Sequence, residues 1–578
     1  MNRLLLYVHF NKFNQVSSHV LYQLEKLRPL FTKVMFISNS DLTADKKEEL
    51  QHLGLVDNIL QRGNVGFDFA AWRDGMAHVG FEQLTAYDSV TLMNDTCFGP
   101  LWELAPIYGR FEADGQVDFW GMTNHRAGQH FPEHLQSYFL VFKQAVVSSV
   151  AFQQFWQGVE EFKDVQQVID RYETQVTTTL QAAGFAYQAV FDTTTADASG
   201  LLHPDFSYYH PTAILQQGVP FLKVKALSGN QHIAAYLFQL VKQQTSYPVS
   251  LMVHHMSSID LPDLPYLLGQ KYMQTMPAQP IKGRVAIHLH VFYVDLLEEF
   301  LRVFETYAFS YDLFITTDTA EKSSAIAKIL SNYEQMAQVV VTGNKGRDII
   351  PLLKLDQELE RYDYVGHFHT KKSKEADFWA GQSWRTELIE MLVKPAHQLL
   401  TALETQVDLG LVIADIPSFF RYNKIVDAWN EHLIAPHMMA LWQEMGMTKS
   451  IQFQALSTFV MSYGTFVWFK YDALKPLFEL DLARLDIPDE PLPQNSVLHA
   501  MERLLVYIAW DRQYDFVIAQ SPVPITPFVD NKLLNRAGNN YVNFDAMGGI
   551  KGAIKYLIVG PARALKYIVR RFHHRFFN

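Results

Sequence analysis

Apolar residues in this chain fall into short runs set between amphipathic stretches. Residues 3–10 read RLLLYVHF and residues 284–291 read RVAIHLHV, and both have the length and apolar density of a buried strand. Each is followed by a helical segment and then a second apolar run, KVMFISNSD (33–41) and YDLFITTD (311–318). The glycine-bounded hexapeptides GNVGFD (63–68) and GNKGRD (343–348) come next, and then YDSVTLMNDT (87–96) faces YDYVGHFHTK (362–371). Four segments recurring in one order, far apart in the chain, indicate a duplicated domain rather than a solenoid. The matches set His9 against His290, Ser38, Asn39 and Ser40 against Thr316, Thr317 and Asp318, and Asn94 and Asp95 against His369 and Thr370.

Alternating strands and helices predict a parallel, right-handed α/β sheet in each copy, with ligands beyond the carboxyl ends of the strands. The repeated polar residues lie at those ends. The expected division is a first domain over 1–264, a linker over 265–283, a second domain over 284–545 and a tail over 546–578.

A length of 578 residues exceeds one core. The net charge of −11 argues against a nucleic-acid partner, which needs clustered Lys and Arg. Cys97 is the only cysteine, so neither an intrachain disulfide nor a Cys-rich zinc site can form, which fits a reducing cytoplasm. The N-terminal apolar run is too short for a signal peptide, and no run of about 18 apolar residues predicts a spanning helix. Motifs for serine hydrolases, zinc proteases and P-loop ATPases are absent.

In GNVGFD the glycines allow a tight turn or close approach to a ligand, with Asn64 and Asp68 as polar contacts; a capped helix start is the alternative. Its return with Asn344 and Asp348 favours a shared nucleotide-sugar role. Asn94 and Asp95 end a strand, where a carboxylate can hold a divalent metal, Mg2+ or Mn2+, against a diphosphate. The second copy instead offers His367, His369, Thr370, Lys371 and Lys372: His369 could ligate a metal, or the lysines could neutralise a diphosphate directly. Glu173 opens a predicted helix that ends at Gly184, a place for a base that takes a proton from an attacking hydroxyl, or for an acid favoured by the helix dipole. Asp489 and Glu490 lie at a similar late position in the second copy, and Glu502 with Arg503 reads as an ion or packing pair.

Residues 551–578 carry Lys551, Lys555, Arg563, Lys566, Arg570, Arg571 and Arg575 and no acid, interleaved with Leu557, Ile558, Leu565, Ile568, Val569, Phe572, Phe576 and Phe577. Pro561 is expected to divide the segment. This pattern predicts a basic amphipathic helix lying on an anionic membrane surface, against the alternative of a packed terminal helix.

Taken together, RLLLYVHFN, RGNVGFDFAAWRDGM, LMNDTCFGP, YETQVTTTLQAAGF, GHFHTKKS and HAMERLL resemble the rhamnan synthesis protein F family over roughly residues 1–540. The resemblance implies two tandem GT-A-like, Rossmann-like glycosyltransferase domains and a role in rhamnose-rich cell-wall polysaccharide. It implies dTDP-β-L-rhamnose as donor, a lipid-linked glycan as acceptor, inverting transfer to an α-linked product, and a cytoplasmic protein peripheral on the inner membrane face. A non-catalytic sugar-binding scaffold or chain-length factor is the main alternative, and a polysaccharide hydrolase or lyase a third. One departure from the general GT-A pattern stands: neither copy has a full Asp-X-Asp.

Overall fold

The computed structural model describes the chain except residues 130, 275, 373–377, 419, 421–427, 457–458, 494, 521–548 and 577–578. Its first sheet contains β1 (Arg3–His9), β2 (Lys33–Ser38), β3 (Asn58–Gln61), β4 (Ser89–Asn94), β6 (Phe119–His125), β7 (His134–Leu135), β8 (Phe139–Lys143) and β9 (Tyr187–Phe191). A short ribbon pairs β5 (Cys97–Phe98) with β10 (Leu222–Lys223). The second sheet contains β11 (Val285–His290), β12 (Asp312–Thr317), β13 (Ala337–Val341), β14 (Tyr364–His369), β15 (Leu409–Ala414), β16 (Val467–Lys470) and β17 (Asp515–Ala519).

The strand orders match. The first sheet runs β3-β2-β1-β4-β8-β6, with β9 parallel beside β6, and the second runs β13-β12-β11-β14-β16-β15-β17. In each, one strand is antiparallel to both neighbours, β8 in the first and β16 in the second. The fold is therefore α/β with two parallel-rich sheets. Side-chain alternation fixes the layers. Leu4, Leu6 and Val8 pack with Phe69 and Trp72 of the helix Phe67–Val79, while Leu5 and Tyr7 pack with Val20, Leu24 and Leu27 of the helix Ser18–Leu27. Each such fully buried large side chain contributes about 1.5–3 kcal/mol.

Backbone pairing corrects the alignment at β1 and that at β2, where Val8 pairs with Ile37 and His290 with Thr316, so that Ser38 corresponds to Thr317 rather than Thr316. Asn2 N donates to the Asp88 carboxylate at 2.6 Å, and Arg284 N donates to Asp363 at 2.7 Å, so Asn2 rather than Arg3 corresponds to Arg284. His290 thus stands where Val8 does, and His9 corresponds to Val291. The later match holds: Asp95 N donates to Val8 O at 3.2 Å, and Thr370 N to His290 O at 2.9 Å. A one-residue slip moves a side chain to the opposite face of the sheet. Three positions that are apolar in the first copy, Leu6, Val8 and Leu92, are His288, His290 and His367 in the second.

The segment 265–283 is anchored. Ile518 N donates to Lys271 O at 2.8 Å, Met273 N donates to Ile518 O at 2.9 Å, and the buried Lys271 ammonium pairs with Asp515. The halves are also joined directly. Trp510 Nε1 donates to Ser257 O at 2.8 Å and Tyr507 to Asp263 at 2.7 Å. The Lys449 ammonium bonds Ser258 O at 3.3 Å and lies 5.0 Å from the centre of the Phe13 ring, in the loop after β1.

At the C-terminus, Gly549–Phe576 form one helix that continues through Pro561, so the proline does not divide it. Ile550, Leu557, Ile558, Leu565 and Val569 are exposed on it. Among the described residues, no helix is long and apolar enough to cross a membrane.

Candidate functional site

The glycine-bounded turn takes the same shape twice. Gly66 and Phe67 have φ +71° and +50°, and Gly346 and Arg347 have +86° and +51°, two successive left-handed residues in each copy. Left-handed Phe67 and Arg347 each cost about 1–2 kcal/mol, which packing must offset. A Cβ on Gly66 would meet the Ala70 side chain, and one on Gly346 would meet Ile350. The turn aims the following aspartate at the end of the central strand. Asp68 is no helix cap: it accepts from Asn94 Nδ2 at 2.7 Å. Asp348, too, makes no side-chain cap bond.

In the first copy Asn94 also accepts from the Thr96 hydroxyl at 2.6 Å, and Asp95 accepts from Phe10 N at 2.9 Å. Burial pushes the Asp95 carboxyl up to about 8, with the Asp68 charge adding to the shift. Burial pushes Asp68 up to about 6; Asn94 opposes this, Glu173 reinforces it and the exposed Lys225 opposes it. Glu173 accepts from Ser137 N at 3.1 Å and Ser137 Oγ at 2.8 Å, in the loop just before β8. Asp68, Asn94, Asp95 and Glu173, widely separated in sequence, therefore share one electrostatic neighbourhood.

His9 and Ser38 present no surface to a ligand. Both are fully buried, the His9 ring lies 3.2 Å from Ser38 Oγ and 3.1 Å from Gln15 O, and burial lowers the ring to about 4. They shape the loop after β1. Asn39 donates to Asn64 at 3.2 Å and accepts from Arg62 at 3.1 Å, which fixes the edge of the turn.

The second copy is wired differently. His290 and His288 lie 2.9 and 2.8 Å from Thr316 Oγ1, the two Nδ1 atoms of His288 and His367 lie 2.8 Å apart, and His367 Nε2 lies 3.3 Å from Asp348. Burial works to raise the Asp348 carboxyl, but the His369 and His367 rings and the Thr465 hydroxyl outweigh it and hold it well below the usual range. His290 is buried in this chain. His369 Nε2 bonds Gly464 O at 2.7 Å, so that nitrogen keeps its proton and only Nδ1 is left with a lone pair. Thr370 accepts from Phe292 N and Tyr293 N at 3.0 and 2.9 Å. Asn344 is exposed, and Lys372 is exposed and pairs with Asp295.

The expected late carboxylates of the second copy stand at the rim. Asp489 is exposed, and Glu490 is exposed and pairs with Arg347 at 2.8 Å. The position of Glu173 is taken instead by Glu502. Glu502 accepts from Gly464 N at 2.7 Å just before β16, as Glu173 accepts from Ser137 N just before β8. Burial raises the Glu502 carboxyl, with Arg503 and Lys371 opposing. The order of elements, helix then final strand, was the available signal.

Among the described residues, no three His, Cys, Asp or Glu side chains form a metal-holding group. Burial raises both Asp68 and Asp95, and the charge of Glu173 adds to the first shift as that of Asp68 adds to the second.

Similar proteins include an uncharacterized protein y4gN of Sinorhizobium fredii, 28% identical over 29% of this chain, and an uncharacterized protein WxcX of Xanthomonas campestris, 25% identical over 38%. The matches span 43% and 30% of those relatives' own lengths. Similar solved structures include glucosyl-3-phosphoglycerate synthase of Mycobacterium tuberculosis, at 11% identity and TM-score 0.25 over 46% of this chain and 82% of that one. The glycosyltransferase GlyE of Streptococcus pneumoniae matches at 13% identity and TM-score 0.24 over 64% of this chain and 87% of that one. At such TM-scores these two likenesses decide nothing about this chain. The family model described as rhamnan synthesis protein F matches residues 34–514, more than four-fifths of the length, and the chain belongs to that family.

Proposed function

We propose that this protein is an inverting rhamnosyltransferase that uses dTDP-β-L-rhamnose to extend a lipid-linked, rhamnose-rich glycan at the cytoplasmic face of the membrane. The observation that carries the reading is the end of the central strand in the first copy, where Asp68, bonded to Asn94 and beside Asp95, lies in the field of Glu173. Family membership supplies the polysaccharide context. Glu173, held by two bonds from Ser137, accepts the proton of the acceptor hydroxyl while that oxygen bonds to the anomeric carbon and the bond to the donor phosphate breaks. Asp95 and Asp68 would hold Mg2+ or Mn2+, which would neutralise charge on the departing diphosphate. Asn94 keeps the two aspartates apart by bonding Asp68 while Phe10 N bonds Asp95.

The exposed apolar residues of the helix Gly549–Phe576 lie among Lys551, Lys555 and Lys566, which suits attachment to an anionic leaflet where the acceptor resides. The test is incubation of purified protein with dTDP-rhamnose and a short lipid-linked rhamnose acceptor. Extension of the acceptor supports transfer. Donor binding without turnover would make the protein a scaffold or chain-length factor, and shortening of the acceptor would make it a hydrolase.

A further inference from the structure

The two copies place different charged groups at the same place in the fold. In the first, Asp68, Asp95 and Glu173 face only the exposed Lys225 among the charges that act on Asp68. In the second, Asp95 is replaced by Thr370, whose hydroxyl is occupied by two backbone donors, and Thr96 is replaced by Lys371. Asp348, the counterpart of Asp68, is closed off by His367 and Thr465.

Lys371 is the group left open. Its ammonium lies 3.4 Å from the centre of the Trp384 ring, and among the described residues it makes no hydrogen bond or ion pair. Gly464, with φ +74°, keeps this space: a Cβ there would sit 3.2 Å from Lys371 Nζ. The same glycine donates to Glu502 and accepts from His369, so one residue without a side chain organises three. Burial lowers the Lys371 ammonium to about 8; Glu502 and Asp348 oppose this, and Arg347 adds to it. Nearby Arg503 is committed to Glu431 at 2.5 Å and lies 3.5 Å from Glu502. A half-buried ammonium on an aromatic face, with no carboxylate at ion-pair distance among the described residues, suits a phosphate oxygen.

We propose that the second copy binds a nucleoside diphosphate through Lys371 without a divalent cation, so that the chain holds two donor sites of opposite metal requirement. This rests on the reading of the protein as a nucleotide-sugar transferase. It also gives Glu502 the place relative to that second site that Glu173 has in the first.

The experiment titrates the full chain with dTDP by calorimetry, first in EDTA and then in Mg2+. The expected result is about one site per chain in EDTA and about one more on adding Mg2+. Lys371→Met should weaken the EDTA-resistant site roughly ten- to hundred-fold, the loss of one charge-assisted bond. It should leave the Mg2+-dependent site intact, which also reports that the variant is folded. Lys371→Arg should retain most of the EDTA-resistant affinity. Binding only in Mg2+, or an EDTA-resistant site untouched by Lys371→Met, would overturn the inference and leave the transferase reading standing. Absence of dTDP binding in both conditions would overturn the nucleotide-sugar reading itself, and this inference with it.

Discussion

Asp95→Asn should make the protein more stable and less active at once. An aspartate in an unfolded chain titrates at about 3.9, whereas burial holds folded Asp95 up to about 8. Between those values the folded protein keeps a proton that the unfolded chain has released, so stability falls as pH rises from about 4 to about 8. Without discount the loss at pH 7 would be on the order of 4 kcal/mol. Asp95 is only partly buried and shares its field with Asp68, so about 1–2 kcal/mol is expected. Asparagine keeps the acceptor for Phe10 N–H and removes the charge. In EDTA the variant should therefore melt higher by roughly 1–4 °C near neutral pH. The gain should shrink toward about pH 4.5 and level off above about pH 8. Mg2+ should raise the melting temperature of the wild type more than that of the variant, because binding to the native state stabilises it. Transfer should fall roughly a hundred-fold or more. Differential scanning calorimetry across that pH range, paired with the transfer assay, tests both halves. A variant that melts below wild type at every pH would show that the carboxylate anchors the loop after β1, and the cation-site reading would fail.

Glu173→Gln should lower turnover roughly 10²–10⁴-fold while dTDP affinity stays within about two-fold, since Gln can still accept from Ser137; loss of nucleotide binding instead would make Glu173 a donor contact. Deleting residues 551–578 should release the protein from anionic vesicles and slow extension of a lipid-linked acceptor, while a short water-soluble acceptor is still used; sedimentation of the truncated protein with vesicles would refute membrane attachment. High salt should mimic part of that deletion by screening the charges. Burial lowers Lys371 to about 8 against Glu502 and Asp348, so the EDTA-resistant dTDP affinity should hold near neutral pH and fall as pH rises through about 8; a flat profile would show that another cation binds the phosphates.

The repeat was legible because strands buried on both faces leave continuous apolar runs, and GNVGFD and GNKGRD share a turn that glycine makes possible. The family followed from those segments together. Register at the first strand was not legible, because RLLLYVHF and RVAIHLHV look alike at either offset; the bonds from Asn2 to Asp88 and from Arg284 to Asp363 separate the two. Glu502 was hidden for a different reason. Its pairing with Gly464 N depends on a chain reversal before β16 that brings together residues far apart in sequence, whereas Asp489 and Glu490 stood out between prolines and point to solvent and Arg347. Residues such as His9 and Ser38 signal polarity in a sequence without revealing that they satisfy each other.

The contact between Lys449 and Phe13 bears on how such a duplicated chain can change over time. Phe13 belongs to the loop whose Phe10 N–H holds Asp95, so the second copy braces the loop that bonds Asp95. Neither half is an independent part that can be cut out and assayed, since a severed first half would bare Ser257, Ser258 and Asp263, whose partners Trp510, Lys449 and Tyr507 would be gone. The two strand ends are free to diverge in chemistry, as Asp95 and Thr370 have, but the seam between the halves must be kept by both together. Drift in a residue such as Lys449, remote from either set of reacting groups, would register as lost transfer in the opposite half.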